Sequence, residues 1–176
     1  MFNPTKCILF ATNLSPTCRA AFEASISLAA QYQATLVLLH VIGRDVPTHV
    51  EEHLKTILGM EKYAALIKAH QHDARQALIG KMSSDSLMHT ALKQYCAEAG
   101  IDDVSSGLRP PEFAVVEGDI VQEIIAAADK RGCDMIVMGA RKGFLKNNSM
   151  GAAVKGVMRK TKIPVLFVPP KPGDED

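Results

Sequence analysis

Five apolar runs stand out along the chain: KCILFA (6–11), ATLVLLHV (34–41), EFAVVEG (112–118), CDMIVMG (133–139) and IPVLFVPP (163–170). Each is short, and each is bounded by turn-forming residues, so each is expected to be a β-strand. ATLVLLHV has no polar alternation, which is the mark of a strand buried on both faces of a parallel sheet. The segments between the runs change period. After TNLSP, the positions Ala21, Phe22 or Ala24, Ile26 and Ala29 recur at helical spacing and stop near Gln33. Ser15 is the expected N-cap of that helix and Pro16 its first residue. DIVQEIIAAADKRG (119–132) sets Ile120, Ile124 and Ala127 on one helical face, and a last helix is expected from Gly151 to about Lys160. Strand, helix and strand in this alternation form right-handed βαβ units. The fold expected is α/β: an open five-stranded parallel sheet with helices on both faces.

One stretch breaks the rhythm. From about 44 to 100 the chain carries no strand-like run, and HVEEHLKTIL (49–58), EKYAALIKAHQHDARQALIGK (61–81) and SSDSLMHTALKQYCAEAG (83–100) read as helix. This is expected to be a long helical arm inserted after the second strand. DDVSSGLRPP (102–111) is a loop by composition, and KPGDED at the end is expected to fray. No internal repeat appears. At 176 residues the whole chain, 1–176, is expected to be one domain with a sizeable core.

Composition narrows the chemistry. The chain is 47% hydrophobic but only 5% aromatic, so aliphatic residues and Met fill the core. A net charge of +1 supplies no general attraction to nucleic acid or to an anionic membrane, and neither is an expected partner. Cys7, Cys18, Cys96 and Cys133 show no CxxC pairing and are expected to be buried thiols. CILFA is too short for a signal-peptide core, and no apolar stretch is long enough for a membrane helix, which makes the cytoplasm the expected location. His49 and His53 share a helical face, but no third ligand is set by spacing, so no metal is expected. Ser149 in NNSMG does not leave a strand directly, as a nucleophile elbow must. With neither a nucleophile–base pair nor a metal set, no enzymatic activity is expected.

In open α/β sheets, ligands sit beyond the carboxyl ends of the strands where strand order reverses. That rule selects 11–15, 41–43, Gly118 and 138–143. Gly151 joins them because a helix start presents free N–H groups to an anion. The loop after the fourth strand adds Arg141, Lys142 and Lys146, with glycines at 139, 143 and 151. It lacks the Walker pattern of a P-loop NTPase, and no GxGxxG follows the first strand. Two readings stay open on these residues: a phosphate cradle, or glycines that only turn and pack the chain.

The pieces CILFATNLSP, ATLVLLHV, VVEGDIVQEIIAAADKRGCDMIVMG and GAAVKGVMRKTKIPVLFVPP together resemble the universal stress protein family, in the family's order and at both ends of the chain. The resemblance implies a five-stranded parallel sheet of the adenine-nucleotide alpha hydrolase type. It also implies a homodimer that pairs the last strands, here through Val165 and Phe167. The nucleotide-binding branch of the family carries glycine, two residues, glycine, nine residues, glycine, then Ser or Thr. Gly139 matches the first glycine; the second falls at Lys142, or at Gly143 if the loop has slipped. Gly151 matches the third one residue early, and Ala152 stands where the hydroxyl is expected. The family's acidic residue after the first strand is Asn13 here, while Val41 keeps the position whose main chain lies at the adenine. The implied site is Ala11, Thr12, Asn13, Val41, Met138, Gly139, Arg141, Lys142, Gly143, Gly151, Ala152 and Ala153. It is expected to take ATP or another adenine nucleotide weakly and so to modulate partner association. The alternative is a member of the same family that binds no nucleotide and acts through its dimer and its arm.

Overall fold

The computed structural model describes residues 4–43, 109–140 and 150–171, with isolated positions at 55, 59–62, 64–65 and 97. Most of the arm expected between 44 and 100 lies outside the described residues, as do 141–149 and 172–176. The few described arm positions at 55, 59–62, 64–65 and 97 are helical.

Five parallel strands form one sheet: β1 (Cys7–Ala11), β2 (Thr35–Gly43), β3 (Glu112–Gly118), β4 (Met135–Gly139) and β5 (Val165–Val168). Their order across the sheet is β3-β2-β1-β4-β5. β1 is therefore central, with Leu9 opposite Val37 of β2 on one side and Ile136 of β4 on the other. The chain walks outward from β1 to β3 and then returns to the far side for β4 and β5. The reversal falls between β1 and β4.

Strand alternation sorts the core into two layers. Ile8, Phe10, Leu36, Leu38 and Val137 face helix α1 (Arg19–Tyr32) and meet its Ala21, Phe22 and Ala29. Leu9, Val37, Leu39, Ile136 and Met138 face the other way. There they meet Ile124, Ala127 and Ala128 of α2 (Ile120–Arg131), and Val154 and Val157 of α3 (Ala152–Lys160). β2 is buried continuously from Leu36 to His40, as its unbroken apolar run requires.

The helix ends follow local chemistry with one exception. Asp119 caps α2, its Oδ1 accepting from the Gln122 N–H at 2.9 Å. Gly132 closes that helix in the left-handed region at φ 60°, and the N–H of Cys133 reaches the Ala128 carbonyl at 2.9 Å. α1 closes in the same way on Gln33 at φ 52°, a conformation that a residue with a Cβ adopts at some cost. The exception is Ser15, expected to cap the first helix from Pro16. Instead Pro16–Cys18 form a 3-10 turn, α1 starts at Arg19, and its N-cap Cys18 makes no side-chain cap bond. The serine oxygen is engaged with Asn13 and Thr17.

Candidate functional site

The segment leaving β1 folds back on itself. Thr12 N–H still belongs to the sheet, donating to the Leu39 carbonyl at 2.9 Å. Beyond it, Thr12 Oγ1 accepts from Leu14 N–H at 2.9 Å, and Leu14 takes φ 62°. Asn13 Oδ1 then accepts from the Ser15 N–H at 3.1 Å, from Ser15 Oγ at 2.7 Å and from Cys18 Sγ at 3.0 Å. With its single hydrogen given to Asn13, Ser15 Oγ accepts from Thr17 Oγ1 at 2.8 Å. From below, the buried His40 holds the turn through Nδ1 and the Thr12 carbonyl, 2.9 Å apart. A carbonyl only accepts, so Nδ1 carries the proton.

This network defines what Asn13 offers a ligand. Three donors converge on Oδ1, which has two lone pairs, so its accepting capacity is used within the turn. The peptide N–H of Ser15 can only donate, which sets the amide orientation. The exposed side chain therefore presents its amide nitrogen, a donor, where the binding branch of the family would present an acidic acceptor.

The reversal between β1 and β4 opens into a cavity of about 340 Å³. Ala11, Thr12 and Asn13 line it from the end of β1, and Met138, Gly139 and Ala140 from the end of β4. Leu39 and Val41 contribute from β2, and Gly151, Ala152, Ala153 and Val154 from the start of α3. Thr17 and Cys18 close one side, Ile120 and Ile124 of α2 another. The volume lies within the roughly 300–1,000 Å³ usual for small-molecule sites. Ile120 is 41% exposed at the mouth, an unusual position for so large an apolar side chain.

The start of α3 supplies the polar end. The first helical bond there runs from Lys155 N–H to the Gly151 carbonyl at 3.1 Å, so the N–H groups of 152–154 precede the helical ladder. No side chain caps them at Gly151. Their combined partial positive charge faces a site that suits an anion. On the opposite wall the backbone approaches closely at Gly139. A Cβ there would lie 3.1 Å from Cys18 Sγ and 3.3 Å from Cys18 Cα.

Nine of the twelve site residues expected from sequence are described, and the fold brings all nine to this cavity: Ala11, Thr12, Asn13, Val41, Met138, Gly139, Gly151, Ala152 and Ala153. Arg141, Lys142 and Gly143 lie outside the described residues, as do Lys146 and Ser149. Ser15, Gly43 and Gly118, which the strand-end rule also selects, do not line it. Gly43 and Gly118 pair with each other on the β2–β3 side, away from the reversal. Thr17, Cys18, Leu39, Ile120, Ile124 and Val154 were not among the residues expected. Ile120 carried a signal, as an apolar residue in the first turn of a helix that begins beside a strand end. The described residues hold no cluster of three or more His, Cys, Asp or Glu side chains suited to a metal ion. None of their helices is long and apolar enough to cross a membrane.

An open parallel sheet with helices on both faces and a cavity at its strand reversal defines an α/β protein of the doubly wound kind. The profile of the universal stress protein family matches residues 4–169. The chain belongs to that family. Among solved structures, a universal stress protein in complex with cAMP is 17% identical, covers 96% of this chain and 100% of its own, and superposes with a TM-score of 0.61. The universal stress protein UspA from Lactobacillus plantarum is 18% identical over 95% of this chain and 99% of its own, with a TM-score of 0.58. At these identities the likeness speaks for the fold. No curated protein matches the chain.

Proposed function

We propose that this protein is a cytoplasmic, non-catalytic stress-response protein that binds an adenine nucleotide weakly in the cavity between β1 and β4, and that the bound nucleotide modulates association with a partner. The observation that carries this reading is the placement of the α3 start, where the N–H groups of 152–154 precede the helical ladder, on the wall of a cavity with apolar sides. Leu39, Val41, Ile120 and Ile124 suit a planar base, and the helix start suits a phosphate. The cAMP complex of a related protein supports an adenine nucleotide as the ligand class. Weak affinity follows from two substitutions in the site: Ala152 offers no hydroxyl to a phosphate, and Asn13 presents a donor in place of a carboxylate.

Those two features also favour a second reading, in which the site is unused and the protein acts as an interaction module. In either case the assembly proposed is a homodimer through β5. Among the described residues β5 pairs only with β4, and Val165, Leu166, Phe167 and Val168 are all half-buried. An apolar edge of this kind recruits a second strand.

Mass spectrometry of freshly purified, denatured protein would reveal co-purified AMP, ADP, ATP or cAMP, and calorimetric titration would follow with ATP and cAMP. Binding that competes between the two supports a nucleotide site. No binding of either at millimolar concentration favours the interaction module. Light scattering of wild type and Leu166→Pro tests the dimer, which the variant is expected to weaken.

A further inference from the structure

At the end of the sheet opposite the cavity, two thiols from distant parts of the chain meet. Cys7 opens β1, and Cys133 follows the Gly132 cap of α2, 126 residues later. Their sulfurs are 2.8 Å apart, inside the contact distance of two unbonded sulfur atoms. A disulfide needs about 2.05 Å between sulfurs, so closing the bond takes a movement of less than an ångström. Both residues are buried, at 9% and 6% exposure.

The backbone on each side is already held. The N–H groups of Lys6 and Cys7 both donate to Asp134 Oδ2, at 2.7 and 3.0 Å, and Asp134 N–H donates to the Cys7 carbonyl at 2.8 Å. Cys133 N–H is bound to the Ala128 carbonyl at 2.9 Å. Two thiols on chain segments fixed by these four hydrogen bonds lose little freedom on joining. The pairing exceeds what ordinary packing of buried thiols requires, because two unbonded sulfurs in a core settle farther apart.

We propose that Cys7 and Cys133 form a redox modification site, a dithiol that hydrogen peroxide converts to an intramolecular disulfide. In the first step the Cys7 thiolate attacks one peroxide oxygen, the O–O bond breaks, and a proton carries the leaving hydroxide away as water; Cys7 is left as a sulfenic acid. In the second, the Cys133 sulfur attacks the Cys7 sulfur, the S–O bond breaks, and the departing hydroxide takes the Cys133 proton as water. Each sulfur loses one electron and the two peroxide oxygens each gain one. A small-molecule dithiol reverses the change.

The order of the two cysteines follows from their surroundings. When Cys133 donates its S–H to Cys7, the Cys7 thiol is held below its ordinary range, with Arg131 adding to this while burial, Glu112 and Asp134 oppose it. The same bond, then burial, pushes Cys133 up. Cys7, at 9% exposure against 6% for Cys133, is the nearer of the two to solvent, and it is the nucleophile toward peroxide with Cys133 the resolving thiol. Cys18, also buried, lies in the cavity wall far from this pair and serves as an internal control.

The test treats the full-length protein with hydrogen peroxide, quenches it with an alkylating reagent and maps peptides without reduction. The expected result is a Cys7–Cys133 linked peptide and a mass lower by two hydrogens, both reversed by dithiothreitol. Because the link closes a loop of about 126 residues, the oxidised protein should melt higher by about 5–10 °C. Cys133→Ser should leave Cys7 arrested as a sulfenic acid that a dimedone probe captures, whereas Cys18→Ser should oxidise like wild type. The wild-type map decides the matter even if Cys133→Ser fails to fold. Both cysteines recovered as alkylated thiols after peroxide, or a disulfide involving Cys18 or Cys96 in their place, would overturn the proposal. The outcome does not depend on whether a nucleotide binds.

Discussion

On the face of the sheet covered by α1, Phe10 and Phe22 meet with ring centroids 5.4 Å apart, and Ile8, Leu36 and Leu38 fill the space around them. On the opposite face the helices bring small residues: Ala127, Ala128, Val154 and Val157, joined by Ile124. The first face is a closed core up to the strand ends. The second closes only part of the way, and beyond the starts of α2 and α3 the same layer of side chains, Ala11, Leu39 and Met138, becomes the floor of the cavity. The cavity lies where the second core layer runs out of helix to cover it. Bulk on one face stabilises the sheet; economy of bulk on the other leaves room for a ligand.

The strongest way to break this contrast is to empty the α1 face. Phe22 is fully buried, and Phe22→Ala is expected to cost about 3–5 kcal/mol, against about 0.5–1.5 kcal/mol for Ile124→Val on the other face. Urea melts of the two variants measure both. Similar losses would mean that the faces share the load equally.

A second change acts on the cavity itself. If the site takes a nucleotide as proposed, Ala152→Ser adds a hydroxyl at the start of α3 and should raise ATP affinity about tenfold, near the low end of a bond to a charged group. Calorimetry on wild type and variant reads the difference. An unchanged, measurable affinity would place the phosphate away from this helix.

The closeness of α2 and α3 supplies a third. A Cβ on Gly156 would lie 2.5 Å from Val121 Cγ2, and a β-branched side chain yields poorly. Overpacking costs about 1–3 kcal/mol, and the helical preference for Ala returns about 1 kcal/mol. A net loss of about 1 kcal/mol is expected for Gly156→Ala. The double variant with Val121→Ala should recover part of it, and a strictly additive pair would show that the two positions do not press on each other.

The smallest effect concerns the outer surface of α1. Glu23 pairs with Lys171 just beyond β5 and with Arg19 one turn earlier. The Lys171 bond, more than Arg19, holds the Glu23 carboxyl below its ordinary range. Both groups are largely exposed, so Lys171→Ala should lose well under 1 kcal/mol. A carboxylate with a lowered folded-state pKa contributes its stability above the unfolded value and loses it as pH falls through the folded one. The difference between wild type and variant, read from melts across acid pH, should therefore vanish in acid. A difference that grew in acid would assign the effect to another group.

Much of the architecture was legible because it is local. Five apolar runs and the helical spacing of Ala21, Ile124 and their neighbours named the strands and helices, and Asp119 and Gly132 marked the ends of α2. Ser15 misled for an equally local reason: it is an excellent cap by type, but Asn13 and Thr17, within two residues of it, took both sides of its hydroxyl. Capping preference describes an isolated helix start, and a turn with its own acceptor outcompetes it. The nine described site residues named from sequence lie at strand ends and at one helix start, which the alternation rule can find. Those not named, such as Leu39, Ile120 and Val154, line the cavity only because five separate elements, β1, β2, β4, α2 and α3, converge.

By itself, then, the sequence determined the elements and their parallel arrangement, because side-chain period and buried continuity act over a few residues. It also determined the chemical poverty of the site, since Asn13 and Ala152 stand where they stand whatever the fold. Tertiary structure alone decided that the cavity opens on the small-residue face. The meeting of Cys7 with Cys133 was likewise decided there, across 126 residues. No local pattern encodes that separation; it arises when β1 and β4 pair side by side and bring the turn before β4 against the first residue of β1.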